Sequence, residues 1–195
     1  FAVDRASGIV YRFRIDSGIQ GGSYDHGVEG RPPAGLPPMP PAPGFPVSIE
    51  SPAFSPDNPS TWGLPAPARR VFALAVRNSR LYYSVGQGPQ VWSVGISPSG
   101  AVAAGPRIEV EVPALQNGIE ITSIAFDGAG RMYLAERGPT TGDFQLSALA
   151  EGGTSRVLRY VPKPPGDPSP GLWRLLADEY AIGFAPPFNN GNGGV

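Results

Sequence analysis

The only histidine of the chain stands in Tyr24-Asp25-His26-Gly27-Val28-Glu29, with a carboxylate on either side. An imidazole beside carboxylates can ligate a metal ion or pass a proton, so Asp25, His26 and Glu29 are candidate ligand-binding residues. The plainer alternative is a lone surface histidine on a Gly-containing loop. A second group is Glu136-Arg137, at the end of the apolar run Met132-Tyr133-Leu134-Ala135. It offers both charges to a ligand, or it forms a local ion pair. No residue is assigned a catalytic role and none a metal site.

Several chemistries lack their residues. One histidine and no cysteine exclude multi-His and thiolate zinc sites, disulfides and thiol nucleophiles from this segment. The single lysine, Lys163, is not in a phosphate-binding loop. There is no Gly-x-Ser-x-Gly elbow and no His-Glu-x-x-His. Gly191-Asn192-Gly193-Gly194 reads as turn residues, not as a phosphate cradle.

The whole chain narrows the class. Net charge is −1 over 195 residues with no basic stripe, so nucleic acid is not an expected partner. No apolar stretch of about 18 residues is present, so no membrane-spanning helix is expected. Charged residues make up only 16%, while Gly (27) and Pro (25) are abundant. The prolines cluster apart from the β-branched and aromatic runs, as in an ordered β protein with one Pro-rich excursion. Absence of cysteine fits an exported bacterial protein, periplasmic or extracellular, and is also compatible with the cytosol. Phe1 falls inside a strand-like run and the chain closes on an Asn-Gly run. The expectation is one segment, 1–195, of a longer polypeptide.

The elements that would position these residues come from a motif written three times. Phe1-Ala2-Val3-Asp4 aligns with Tyr82-Tyr83-Ser84-Val85 and with Tyr133-Leu134-Ala135-Glu136. After a turn, Val10-Tyr11-Arg12-Phe13 aligns with Val91-Trp92-Ser93-Val94 and Val157-Leu158-Arg159-Tyr160. Apolar runs at 71–76 and 121–126 read as inner strands buried on both faces. Strands are expected at 71–76, 80–85, 90–96, 121–126, 131–136 and 156–161, with a fourth in 172–176. Ile108-Glu109-Val110-Glu111-Val112 alternates, as in an outer strand with one wet face. A period of roughly 40–50 residues with several strands per repeat points to a propeller. The predicted fold is all-β: antiparallel four-stranded blades, about two and a half of them, of an incomplete β-propeller. Ala75 and Ala125 should be buried on the inner strands, and Tyr82, Trp92 and Tyr133 should fill spaces between blades.

Two insertions break the pattern. Residues 31–68 hold 13 of the 25 prolines and cannot be central sheet. They are expected to be ordered, without helix or strand, and anchored by Phe45, Phe54 and Trp62. The second insertion, 137–155, includes a possible short helix at 144–150, and 178–180 offers another helical turn. Both insertions fall in loop classes that share one face of a propeller, which leaves the other face plain.

Ile124-Ala125-Phe126-Asp127-Gly128-Ala129-Gly130-Arg131-Met132-Tyr133-Leu134-Ala135-Glu136 resembles the inner-strand pattern of NHL-type and senescence-marker/gluconolactonase-type β-propellers. The resemblance leaves out 16–70. It implies a propeller architecture and, for the lactonase branch, a Glu, Asp and Asn cluster around a divalent ion. Candidates for such a cluster are Glu136, Asn117, Glu120 and Asp127, though Asp127 lies in a tight turn and should face away from Asn117. No cofactor is assigned, and a structural calcium ion stays open. The leading expectation is a non-catalytic binding or scaffold module taking a protein or small-molecule ligand on its long inter-strand loops. The rest of the same polypeptide, or another subunit, would complete the ring. The rivals are a metal-dependent lactonase or hydrolase, a quinoprotein-type oxidoreductase, and a structural subunit of a surface assembly.

Overall fold

The computed structural model describes residues 1–42, 47–139, 151, 155–168 and 171–176. Phe45, the helix expected at 144–150 and the turn at 178–180 lie outside them. The chain is all-β, and its described residues form three antiparallel meanders. The first sheet is β1 (Ala2–Asp4), β2 (Ile9–Phe13) and β3 (Gln20–Asp25). The second is β4 (Val71–Arg77), β5 (Arg80–Val85), β6 (Gln90–Ile96) and β7 (Val102–Glu111). The third is β8 (Glu120–Phe126), β9 (Met132–Arg137), β10 (Val157–Pro162) and β11 (Trp173–Leu175).

The sequence repeat is a repeat of register. Val3 faces Val10, Ser84 faces Val91, and Ala135 faces Val157. Third residue of one quartet meets first residue of the next in all three sheets. The insertion after β9 therefore leaves the pairing of β9 with β10 unchanged.

The sheets stack face to face, and the side-chain period of two divides the middle sheet between its neighbours. Leu81, Tyr83 and Val85 of β5, with Trp92 and Val94 of β6, pack against Val10 and Tyr24 of the first sheet. Tyr82 and Val91, from the opposite face, pack with Ile121, Ile124, Met132, Leu134 and Leu158 of the third. The first strands of the sheets also lie together, β1 against β4 and β4 against β8. Bulges interrupt β4 between Val71 and Leu74 and β8 between Ile121 and Ser123. At the first bulge Ser84 Oγ accepts from the Ala73 N–H at 2.9 Å and donates to the Ile121 carbonyl at 2.7 Å, tying two sheets together.

Several expectations need correction. Ala75 and Ala125 are only half-buried, whereas Ala73 and Ile124 are buried. Tyr133 is half-buried too, its hydroxyl 3.1 Å from Asp127 Oδ2. Glu109 is not on a wet face. It is 1% exposed, held by Arg80, Arg107, Ser93 and Trp173. β3 runs through Gly21 and Gly22, poor strand formers that pairing with β2 holds extended. Within 31–68, the described residues carry two short 3₁₀ turns, Pro32–Ala34 and Pro59–Thr61, and no strand. Trp62 donates its ring N–H to the Ser55 carbonyl at 3.0 Å.

Candidate functional site

β3 ends at Asp25 and the chain enters a π-helical turn, His26–Gly30, which turns the three neighbouring candidates in different directions. His26 is completely buried, against the expectation of a surface loop. Its ring sits edge-on to Trp92, centroids 4.6 Å apart, and Nδ1 lies 3.1 Å from the Tyr83 hydroxyl. That hydroxyl is 3.1 Å from the hydroxyl of Tyr24. Nε2 is buried as well. Burial, with the positive charge of Arg31 next, lowers the imidazole pKa to about 4. Burial likewise pushes Tyr24 up to about 12 and Tyr83 well above its ordinary value. Asp25 takes two hydrogen bonds from buried Arg69, each 2.7 Å, and caps the Val28 N–H. Glu29 is exposed and only its Oε1 reaches back to the Asp25 N–H. The three do not converge on a common point.

Glu136 and Arg137 also part, because neighbours on a strand point to opposite faces. Glu136 is fully buried and pairs with Arg156 at 2.6 Å, so the local Glu136-Arg137 pair does not form. Arg137 joins a different group. Its Nη2 lies 2.5 Å from Glu120 Oε2. Arg5 Nη2 lies 2.6 and 2.5 Å from the two Glu120 oxygens, and Arg70 Nη1 lies 3.1 Å from Oε1. Arg5 and Arg137 both sit over the ring of Phe72, 5.5 Å from its centroid. One carboxylate is thus ringed by three guanidiniums drawn from three sheets. Burial pushes the Glu120 pKa up, but the hydrogen bond and charge of Arg5, with Arg137 and Arg70, hold it below the usual value.

Arg5 and Arg70 were not singled out from the sequence, yet a signal was there. Arg5 follows the first quartet as Arg137 follows the third. Arg70 precedes Val71 where Glu120 precedes Ile121, and these two inner strands enter their sheets alike. The repeat therefore brings two arginines to equivalent strand ends and opposite charges to equivalent strand starts.

The four candidate metal ligands are not assembled. Glu120 opens β8 and Asp127 follows its other end, where Asp127 holds the Arg131 guanidinium at 2.5 Å. Burial pushes Asp127 up, but the Arg131 N–H and side chain and the Tyr133 hydroxyl bring its pKa down to about 2. Asn117 is exposed on the turn before β8. Among the described residues no three metal-ligating side chains meet. Cavities among the described residues lie elsewhere. One of about 230 Å³ opens between the first and second sheets beside Phe1, Arg12 and Gly100. One of about 650 Å³ lies between β7 and β11, lined by Glu109, Glu111, Tyr160 and Trp173. Compared with known proteins, the chain matches no family model, no curated protein and no solved structure.

Proposed function

We propose that this chain is part of an exported bacterial β-propeller that acts as a non-catalytic binding module. Its ligand face is the end of the sheets that carries Arg5, Arg70, Glu120 and Arg137. One observation carries the reading: strands from all three sheets deliver charged groups to one point, at the end from which the connections 26–70 and 138–156 leave. In a meander every second connection shares an end, so the loops and the cluster belong to the same face. Loops on a rigid sheet scaffold are where recognition concentrates. Four-stranded meanders packed face to face, with their first strands together, support a propeller. The test is amide hydrogen exchange on the intact protein with a library of anionic, neutral and cationic compounds. Ligands should protect the strand ends around 4–5, 70–72, 120–121 and 136–137. A library in which no compound slows exchange there defeats the reading.

A partner that completes the assembly belongs to the same proposal. β5 and β9 each have an inner neighbour, β4 and β8, whereas their equivalent β1 is the edge of its sheet. An open edge offers unpaired N–H and C=O groups to another strand. The remainder of the polypeptide or a second subunit is expected there. Light scattering on residues 1–195 should show association, and a stable monomer would remove the second-subunit form.

A further inference from the structure

We propose that the Arg5–Arg70–Arg137 cluster binds a small oxyanion, the carboxylate or phosphate group of a soluble molecule. The proposal rests on the binding-module reading and names its ligand class. Charge balance is the first observation. Asp25 meets one guanidinium, that of buried Arg69, and buried Glu109 meets two, Arg80 and Arg107. Glu120 meets three guanidiniums, and it is the only carboxylate in salt-bridge reach of any of them among the described residues. Two positive charges are left over in a partly buried place, where a cation is costly without a counter-ion. Joining the first and second sheets to Glu120 would need two arginines, Arg5 and Arg70; Arg137, opposite Glu120 in the same sheet, is a third.

Donor geometry is the second. Glu120 occupies the cluster as an oxyanion would, bound through both oxygens. Nη1 of Arg5 and Nη1 of Arg137 make no hydrogen bond in the described structure, and the two side chains are 19% and 26% exposed. Guanidinium forks match carboxylate and phosphate. Positions are also held before any ligand arrives: Phe72 stacks with Arg5 and Arg137, and Arg70 is tied to the Pro65 carbonyl at 3.1 Å.

Calorimetric titration of the intact protein with inorganic phosphate, and separately with malonate, tests this at low ionic strength, where screening is weak. Saturable one-to-one binding of at least one anion is expected. Arg137→Gln should weaken it about tenfold, the worth of one charged hydrogen bond. Glu120→Gln removes the internal competitor and should tighten it by a similar factor, whereas a merely structural clamp would lose stability and gain no affinity. Should Glu120→Gln not fold, Arg137→Gln still decides, because two arginines on one carboxylate remain. Malonate without phosphate assigns a carboxylate ligand, and phosphate without malonate a phosphate group. Failure of both anions to bind the wild type overturns the proposal, as does unchanged affinity in Arg137→Gln. A neutral compound that protects the same strand ends, when neither anion does, overturns the anion assignment and leaves the binding module standing.

Discussion

His26 carries a proton balance that stability should report. Burial and Arg31 lower its pKa to about 4, while an unfolded histidine titrates near 6.5. The folded state therefore binds fewer protons than the unfolded state between these values. Stability is full above about pH 6.5 and falls as the pH drops toward 4, by about 3 kcal/mol at most. Glu120 and Asp127 are shifted down from ordinary carboxylate values, so their contributions are lost at lower pH still. Urea titrations at pH 7 and pH 4.5 should give different midpoints for the wild type and nearly coincident midpoints for His26→Gln. An equal pH loss in the variant would assign the effect to other groups. One residue on, Gly27 lies where an added Cβ would run into the Arg69 guanidinium and the Met39 carbonyl. Gly27→Ala should cost about 1–3 kcal/mol through overpacking, and a loss under about 0.5 kcal/mol in the same titration would show that this turn yields.

Trp92 shows what an element owes to its neighbours. It is fully buried on β6, edge-on to His26, with its ring N–H on Gln90 Oε1 at 2.9 Å. Trp92→Ala should cost about 3–5 kcal/mol in a denaturant titration; below about 1 kcal/mol it is not core. Ser84→Ala leaves the Ala73 N–H and the Ile121 carbonyl without their shared hydroxyl, and should cost about 1–3 kcal/mol. An unchanged denaturation midpoint would mean that backbone shifts re-pair both groups. The strands β4 to β6 and β8 to β10 were legible because apolar runs such as Val71-Phe72-Ala73-Leu74 end at turn residues such as Asn78-Ser79. β3 was not, since Gln20-Gly21-Gly22-Ser23 has no strand preference of its own and β2 imposes one. The burial of Glu109 is not legible for the same reason: alternation reports which residues share a face, and only the packed sheets decide that Arg80, Arg107 and Trp173 cover it.

The candidate site was legible only in part, and the reason lies in the whole molecule. Arg137 was visible at a strand end, but its partners Arg5 and Arg70 are brought to it by the stacking of three sheets. His26 went the other way, into the core, because Trp92 and Tyr83 of the neighbouring sheet enclose it. That same stacking predicts how the chain unfolds. The β4–β7 sheet supplies side chains to both cores, Leu81 and Tyr83 to one and Tyr82 and Val91 to the other. Loss of either neighbour would expose one of its faces, so neither core should melt alone. Trp92 reports on the core between the first and second sheets, and Trp173 packs against the other. One variant keeps Trp92 and carries Phe at 62 and 173; the other keeps Trp173 and carries Phe at 62 and 92. Within each, the fluorescence midpoint should coincide with the circular dichroism midpoint, as a cooperative transition requires. Leu81→Ala and Leu134→Ala, one in each core, should lower that single transition by about 2–5 kcal/mol apiece. Two separate midpoints, with Leu134→Ala moving only the one seen by Trp173, would show that the sheets fold as independent units.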